Sequence, residues 1–113
     1  MHEAGIMESV LAIANSRAKD NGVSKVRELR MRVGILRGIA AEALEHAFDV
    51  LRAGTVAREA QLAVDFIPAV YWCAACGREF ETSNLFGECP VCRAFSGDIR
   101  HGLELELVSM EVD

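Results

Sequence analysis

Four cysteines constrain this chain more than anything else in it. Cys73-Ala-Ala-Cys76 and Cys89-Pro-Val-Cys92 are two C-x2-C pairs with twelve residues between them. Each pair can turn two thiolates toward one ion while main-chain amides donate to sulfur. Two such pairs at this distance point to a closed tetrahedral site of four cysteine ligands. Gly77 follows the first pair, where a tight turn often needs a positive φ. The stretch around the cysteines also holds the only Tyr and the only Trp and lacks apolar periodicity. A patch of about thirty residues buries too little surface to fold alone, so a bound ion has to supply the missing stability. Structural zinc is expected, ahead of a dithiol redox pair or a rubredoxin-like iron centre. Four sulfur ligands leave no open position for water, so no catalysis is expected at that ion.

The remainder of the chain reads as an α+β frame. Ile6, Met7, Val10, Leu11, Ala14 and Ala18 recur at helical steps. Glu3 and Glu8 lie near the start of that run and Arg17 and Lys19 near its end, as the helix dipole prefers. With Asn21-Gly22 as a stop, the spacing predicts a helix over 4–20. Leu29, Met31, Val33 and Ile35 alternate with Glu28, Arg30, Arg32 and Gly34, a half-buried strand. Ala40 to Ala53 reads as a second helix with Ala43, Leu44, Ala47, Phe48 and Leu51 inward and Gly54 at C′. A strand follows at about 61–67, with Leu62, Val64 and Phe66 on one side and Pro68 closing it. From Leu103 to Val112 a last strand changes apolar phase midway, as a bulge would or, the reading preferred here, a strand leaving one sheet for another. The fold expected is a small mixed sheet with two helices on one face, plus an inserted four-cysteine zinc-ribbon-like domain. Its domains are 1–68 with 103–113, and 69–102. Glu111 is placed across the sheet from Arg30 or Arg32.

Composition narrows the partners. The chain of 113 residues is 51% hydrophobic and carries a formal net charge of -5. That rules against a disordered chain and against non-specific grip on nucleic acid or anionic membrane. Lys25, Arg27, Arg30, Arg32 and Arg37 read as a solvated sheet face, since Glu28 interrupts them and no aromatic residue lies among them to stack on bases. No apolar run reaches a membrane span of about 18 residues, and the start does not read as a secretory signal. A cytoplasmic chain with reduced thiols is expected. No nucleophile–base pair or cofactor loop points to an enzyme. Glu42, Glu45, His46 and Asp49 sit at helical spacing, yet a solvated face is the commoner meaning of such a set.

One further stretch carries chemistry. A free α-amine on Met1, the main-chain amide of His2 and the His2 imidazole can form fused chelate rings around one divalent ion, with the amide of Glu3 or a nearby side chain completing four-coordination. Nitrogen donors in a flat arrangement suit Ni(II) or Cu(II) better than tetrahedral zinc.

Met1-His2-Glu3, the Phe48-Asp49-Val50 and Gly54-Thr55 motifs, the C-x2-C-Gly…C-x2-C insert and the ending Gly102-x-Glu104-Leu105-x-x-x-Ser109-x-Glu111-Val112 together resemble the HypA/HybF family. These are nickel metallochaperones of [NiFe]-hydrogenase maturation, and the resemblance spans essentially the whole chain. It implies a transient Ni(II) site at Met1, His2 and Glu3 and a structural Zn(II) site at Cys73, Cys76, Cys89 and Cys92. The HypB GTPase and the hydrogenase large-subunit precursor are the implied partners; the chain itself is expected as a monomer or weak homodimer. Many members carry an acidic residue in the loop before the second helix. Here that loop is Gly38-Ile39-Ala40-Ala41, and Glu42 is the first carboxylate. The histidine nearest the insert is His101, at its edge. A zinc-ribbon adaptor or nucleic-acid-binding module without nickel function is the alternative, distinguished by zinc alone and salt-dependent binding of RNA or DNA.

Overall fold

A computed structural model describes residues 2–82 and 86–112. Its elements are helix α1 (Glu3–Asp20), strand β1 (Glu28–Gly34), a 3-10 turn (Ile35–Arg37), helix α2 (Ala41–Leu51), and strands β2 (Gln61–Ile67), β3 (Ala69–Cys73), β4 (Arg78–Thr82), β5 (Ile99–His101) and β6 (Leu105–Glu111). The strands form two three-stranded sheets, in the orders β2-β1-β6 and β4-β3-β5. By its contacts the chain separates into two compact units. A helical unit comprises Met1–Arg32, Ile39–Asp65 and Glu106–Asp113; a cysteine unit comprises Val33–Gly38 and Phe66–Leu105.

In the helical unit, α1 buries Met7, Val10, Leu11, Ala14 and Ala18, the stripe that three- and four-residue spacing demands. Its end is closed twice, by Asn21 Nδ2 donating to the Arg17 carbonyl at 2.7 Å and by the Val23 N–H donating to the Ala18 carbonyl at 2.8 Å. Gly22 takes the positive φ (68°) that lets the chain turn away. Helix α2 packs against α1 and buries Leu44, Ala47 and Phe48. It starts one residue later than the spacing predicts, and Ala43 faces outward, not inward. On β1, Leu29 and Met31 are fully buried, each stabilising the unit by roughly 1.5–3 kcal/mol relative to exposure.

The other face of β1 carries Arg30 and Arg32, and Lys25 and Arg27 lie on the segment leading into the strand. Arg27 pairs with Glu111 at 2.9 Å, Arg30 with Asp65 at 3.2 Å and Arg32 with Glu106 at 2.9 Å, and Lys25 meets Glu59 at 2.6 Å. Glu111 therefore lies opposite Arg27, not Arg30 or Arg32. Register is the reason, because alternation says which residues share a face but not which are opposite. These four cations each have a carboxylate, which is the solvated sheet face expected. Arg37 departs from it, donating from Nε to the Leu103 carbonyl at 2.6 Å in the cysteine unit.

In the cysteine unit, β3 pairs antiparallel with β4, bringing Tyr71 opposite Phe80 and Cys73 opposite Arg78. The Tyr71 and Phe80 rings stack at 5.6 Å within a core of Ala69, Tyr71, Cys73, Phe80 and Cys89, against which Ile35 and Leu36 pack. Leu36 is held by its N–H donating to the Gly102 carbonyl at 2.9 Å, and Gly34 by its N–H to the Glu104 carbonyl at 2.7 Å. The two main chains meet so closely that a Cβ on Gly34 would stand 2.0 Å from the carbonyl carbon and oxygen of Gly102.

The chain leaves the second sheet at His101 and enters the first at Leu105. The sheet change expected from the apolar phase is real, but it falls at Gly102 to Glu104, before the phase break. Gly102 makes it with φ 120°, a region open to glycine. The break within β6 is separate, at Val108 and Ser109, which are both exposed.

Candidate metal centres

The two cysteine knuckles share one backbone shape. Cys73 ends β3, and the N–H of Gly77 donates back to the Cys73 carbonyl at 2.8 Å before β4 begins. Four residues after Cys89, the N–H of Arg93 donates to the Cys89 carbonyl at 2.9 Å. Gly77 and Arg93 both have φ 66°, and Arg93 is the only non-glycine with positive φ among the described residues. The first knuckle announces its turn with glycine. The second hides the same turn under an arginine, whose guanidinium pairs with Glu88 at 3.4 Å. The equal C-x2-C spacing is the signal that could have found Arg93.

The four sulfurs come together, all within 4.8 Å of one another. Cys73 and Cys92 are 3.5 Å apart and Cys76 and Cys89 are 3.9 Å apart, sulfur to sulfur. A tetrahedron built on zinc–thiolate bonds of about 2.3 Å has edges of about 3.8 Å, so this donor set fits such an ion. Cys73 and Cys89 are buried, whereas Cys92 faces solvent. The thiols ionise unequally. The Cys92 main-chain N–H, donated to the Cys89 sulfur, outweighs burial and with the Val91 N–H lowers Cys89 to about 6. Hydrogen bonding to the Cys92 sulfur, reinforced by burial, pushes Cys76 up to about 12. An ion that binds here has to displace the remaining protons. His101 is not part of this cluster. It sits in β5, with Nδ1 3.3 Å from a Glu104 carboxylate oxygen whose partner oxygen accepts the Gly102 N–H at 2.8 Å.

At the chain start, His2 is the exposed N-cap of α1, and its carbonyl accepts the Ile6 N–H at 3.2 Å. Its imidazole therefore stands at the root of a rigid helix. Met1 lies outside the described residues. Glu3 opens the helix, and its carboxylate accepts the N–H of Ala40 at 3.2 Å. Ala40 is the N-cap of α2 and has no side chain that can accept a hydrogen bond. Hydrogen bonds from the main-chain N–H groups of Glu3 and Ala40 hold the Glu3 carboxyl below its ordinary value. Sequence reasoning placed Glu3 as a main-chain donor to metal and missed its side chain's part in fastening the two helix starts. Around His46, Glu42, Glu45 and Asp49 the described residues form no cluster of three metal-competent groups.

A family model described as "Hydrogenase/urease nickel incorporation, metallochaperone, hypA" matches residues 1–112. A hydrogenase maturation factor HypA of Picosynechococcus sp. is 43% identical over 112 residues, covering 99% of both chains. The protein of the same name from Rhizobium leguminosarum bv. viciae is 37% identical over 112 residues, again covering 99% of each. Among solved structures, the solution structure of the Ni metallochaperone HypA from Helicobacter pylori aligns with a TM-score of 0.69 at 26% identity, covering 98% of this chain and 97% of that one.

Proposed function

This chain belongs to the HypA family of non-enzymatic hydrogenase maturation factors, and from that premise we propose that it carries Ni(II) on its first three residues and delivers it to the [NiFe]-hydrogenase large-subunit precursor. The Met1 amine, the His2 imidazole and main-chain nitrogens up to Glu3 are the ligands. The observation that carries this reading is the placement of His2, exposed and fixed at the start of α1. A carrier has to hold nickel firmly enough to exclude free ion and still surrender it to a better site. Few ligands on an exposed helix start meet both demands. As N1 of the helix, the Glu3 amide has no main-chain acceptor and donates to its own carboxyl, so metal that claims its nitrogen displaces that one bond and none of the helix ladder.

Zinc at Cys73, Cys76, Cys89 and Cys92 holds the cysteine unit together, and HypB is the GTPase partner in the transfer. The cytoplasm is the compartment that keeps such thiols reduced; among the described residues no helix is long and apolar enough to cross a membrane.

The test is metal content of tag-free protein. The native chain should hold one nickel and one zinc. His2→Ala, and a chain with one glycine added before Met1, should lose nickel and keep zinc. Undiminished nickel uptake in both variants would refute the site.

A further inference from the structure

One surface of the helical unit runs along α1 and α2 from the chain start. Beside the contact of α1 with α2 lies a groove of about 300 Å³ lined by Ala4, Ala43, His46, Ala47, Val50 and Leu51, with Glu3 at one end. On α2, Ala43, Ala47 and Val50 follow at steps of four and three and so form one stripe. Val50 is 60% exposed, more than Ile13, Val108 or Val112 of the same unit. Alanines make up much of the wall, so an approaching backbone can come close before side chains collide.

Glu3 is the one acidic residue in the groove wall; helix spacing sets further carboxylates beside it, with Glu42 and Asp49 two turns apart on one side of α2 and Glu8 one turn beyond Ala4 on α1. Among the described residues neither Glu8 nor Glu42 has an ion-pair partner, and Asp49 has only Arg52 at 3.8 Å. A second copy of this chain is a poor occupant, because its net charge of -5 would bring acid against acid.

We infer that this groove docks an amphipathic helix of a partner protein, one with apolar side chains at i, i+3 or i+4, and i+7 and with Lys or Arg along its flanks. The apolar stripe takes the apolar face, as helix-in-groove recognition does. The carboxylates take the flanking cations, which steers encounter and fixes orientation.

Three synthetic peptides of ~15 residues test this against the zinc-loaded full-length protein. One has a leucine face flanked by lysines, the second replaces lysine by glutamate, and the third scrambles the first so that no face remains. The faced lysine peptide should bind and shift the amide resonances of Ala43, Ala47 and Val50; the other two should not. Val50→Asp or Ala43→Lys should weaken binding at least about tenfold, with helical circular dichroism and zinc content unchanged. Glu42→Lys with Asp49→Lys should transfer the preference to the glutamate peptide. Equal binding of the scrambled peptide, shifts that map elsewhere, or indifference to both Val50→Asp and Ala43→Lys overturns the inference. Nickel stoichiometry in the same variants stays at its native value, which separates this outcome from any failure of the nickel site.

Discussion

The Glu3 carboxylate and the Ala40 main-chain N–H stand 3.2 Å apart, so the first residue of α1 caps the start of α2. A helix begins with N–H groups that have no intrahelical partner, and the N-cap residue commonly answers one of them. Ala40 cannot. An acid 37 positions earlier in the chain takes its N–H instead, a cap supplied through space.

Glu3→Ala should therefore lower the melting temperature, and Glu3→Gln, which keeps an acceptor, should lower it less. The pH dependence follows from the depressed carboxyl. Its contribution is complete above the ordinary value of 4.5 and is lost as pH falls through the lower folded value. The Ala40 amide resonance should report a titration below 4.5. A midpoint above that would mean the hydrogen bond does not form in solution.

Arg93→Gly should stabilise the protein by about 0.5–1 kcal/mol. Positive φ costs an L side chain roughly 1–2 kcal/mol, and the exposed pair with Glu88 offsets only part of this. Denaturant unfolding of the zinc-loaded form is the measurement. A loss of stability would show that the guanidinium contributes more than its backbone costs.

Gly34 and Gly5 should respond in opposite ways to alanine. A Cβ on Gly34 meets the Gly102 main chain at 2.0 Å, and since backbone cannot yield as a side chain does, the loss should be about 3 kcal/mol or more. At Gly5, inside α1, a Cβ meets nothing within 4 Å, and helix propensity alone should add about 0.5–1 kcal/mol. Paired thermal scans would decide, and a tolerated Gly34→Ala would contradict the close crossing.

Removing zinc should release the amide-exchange protection of β3, β4 and β5 while α1 and α2 keep theirs, because the core of the cysteine unit is small. With Cys89 near 6 and Cys76 near 12, neutral protein is already ionised at one thiol and protonated at the other. Zinc must expel the second proton. Affinity should thus fall by about tenfold per pH unit for each proton released as pH drops, and more steeply once Cys89 takes up its own proton near 6. Competitive titration at several pH values measures the slope; a flat profile would mean that thiolates are not the ligands.

Nickel affinity should also decline between pH 8 and 6, because the amine, with an unperturbed pKa of about 7.7–8.0, has to be free of its proton to coordinate. Calorimetry on untagged protein across that range would show it. A constant affinity would remove the terminal amine from the ligand set.

Several features are legible in the order of residues alone. The α1 stripe of Met7, Val10, Leu11, Ala14 and Ala18 and the β1 alternation of Leu29, Met31 and Val33 are readable because burial imposes a period on neighbouring residues. The cysteine cluster is readable because one ion needs its ligands in short pairs. Patterns of this kind are local, and they carry the family with them.

What remained depends on which distant residues are opposed, and only packing in three dimensions sets that. Glu111 meets Arg27 through strand register, and a slip of two residues would leave the alternation unchanged while exchanging every partner. Glu3 reaches Ala40 because two helices start side by side, a fact that no spacing along the chain encodes. Gly34 and Gly102 touch for the same reason. Arg93 adopts a left-handed turn that its side chain disfavours, because the hydrogen bond to Cys89 and the gathering of four sulfurs outweigh a local preference of roughly 1–2 kcal/mol.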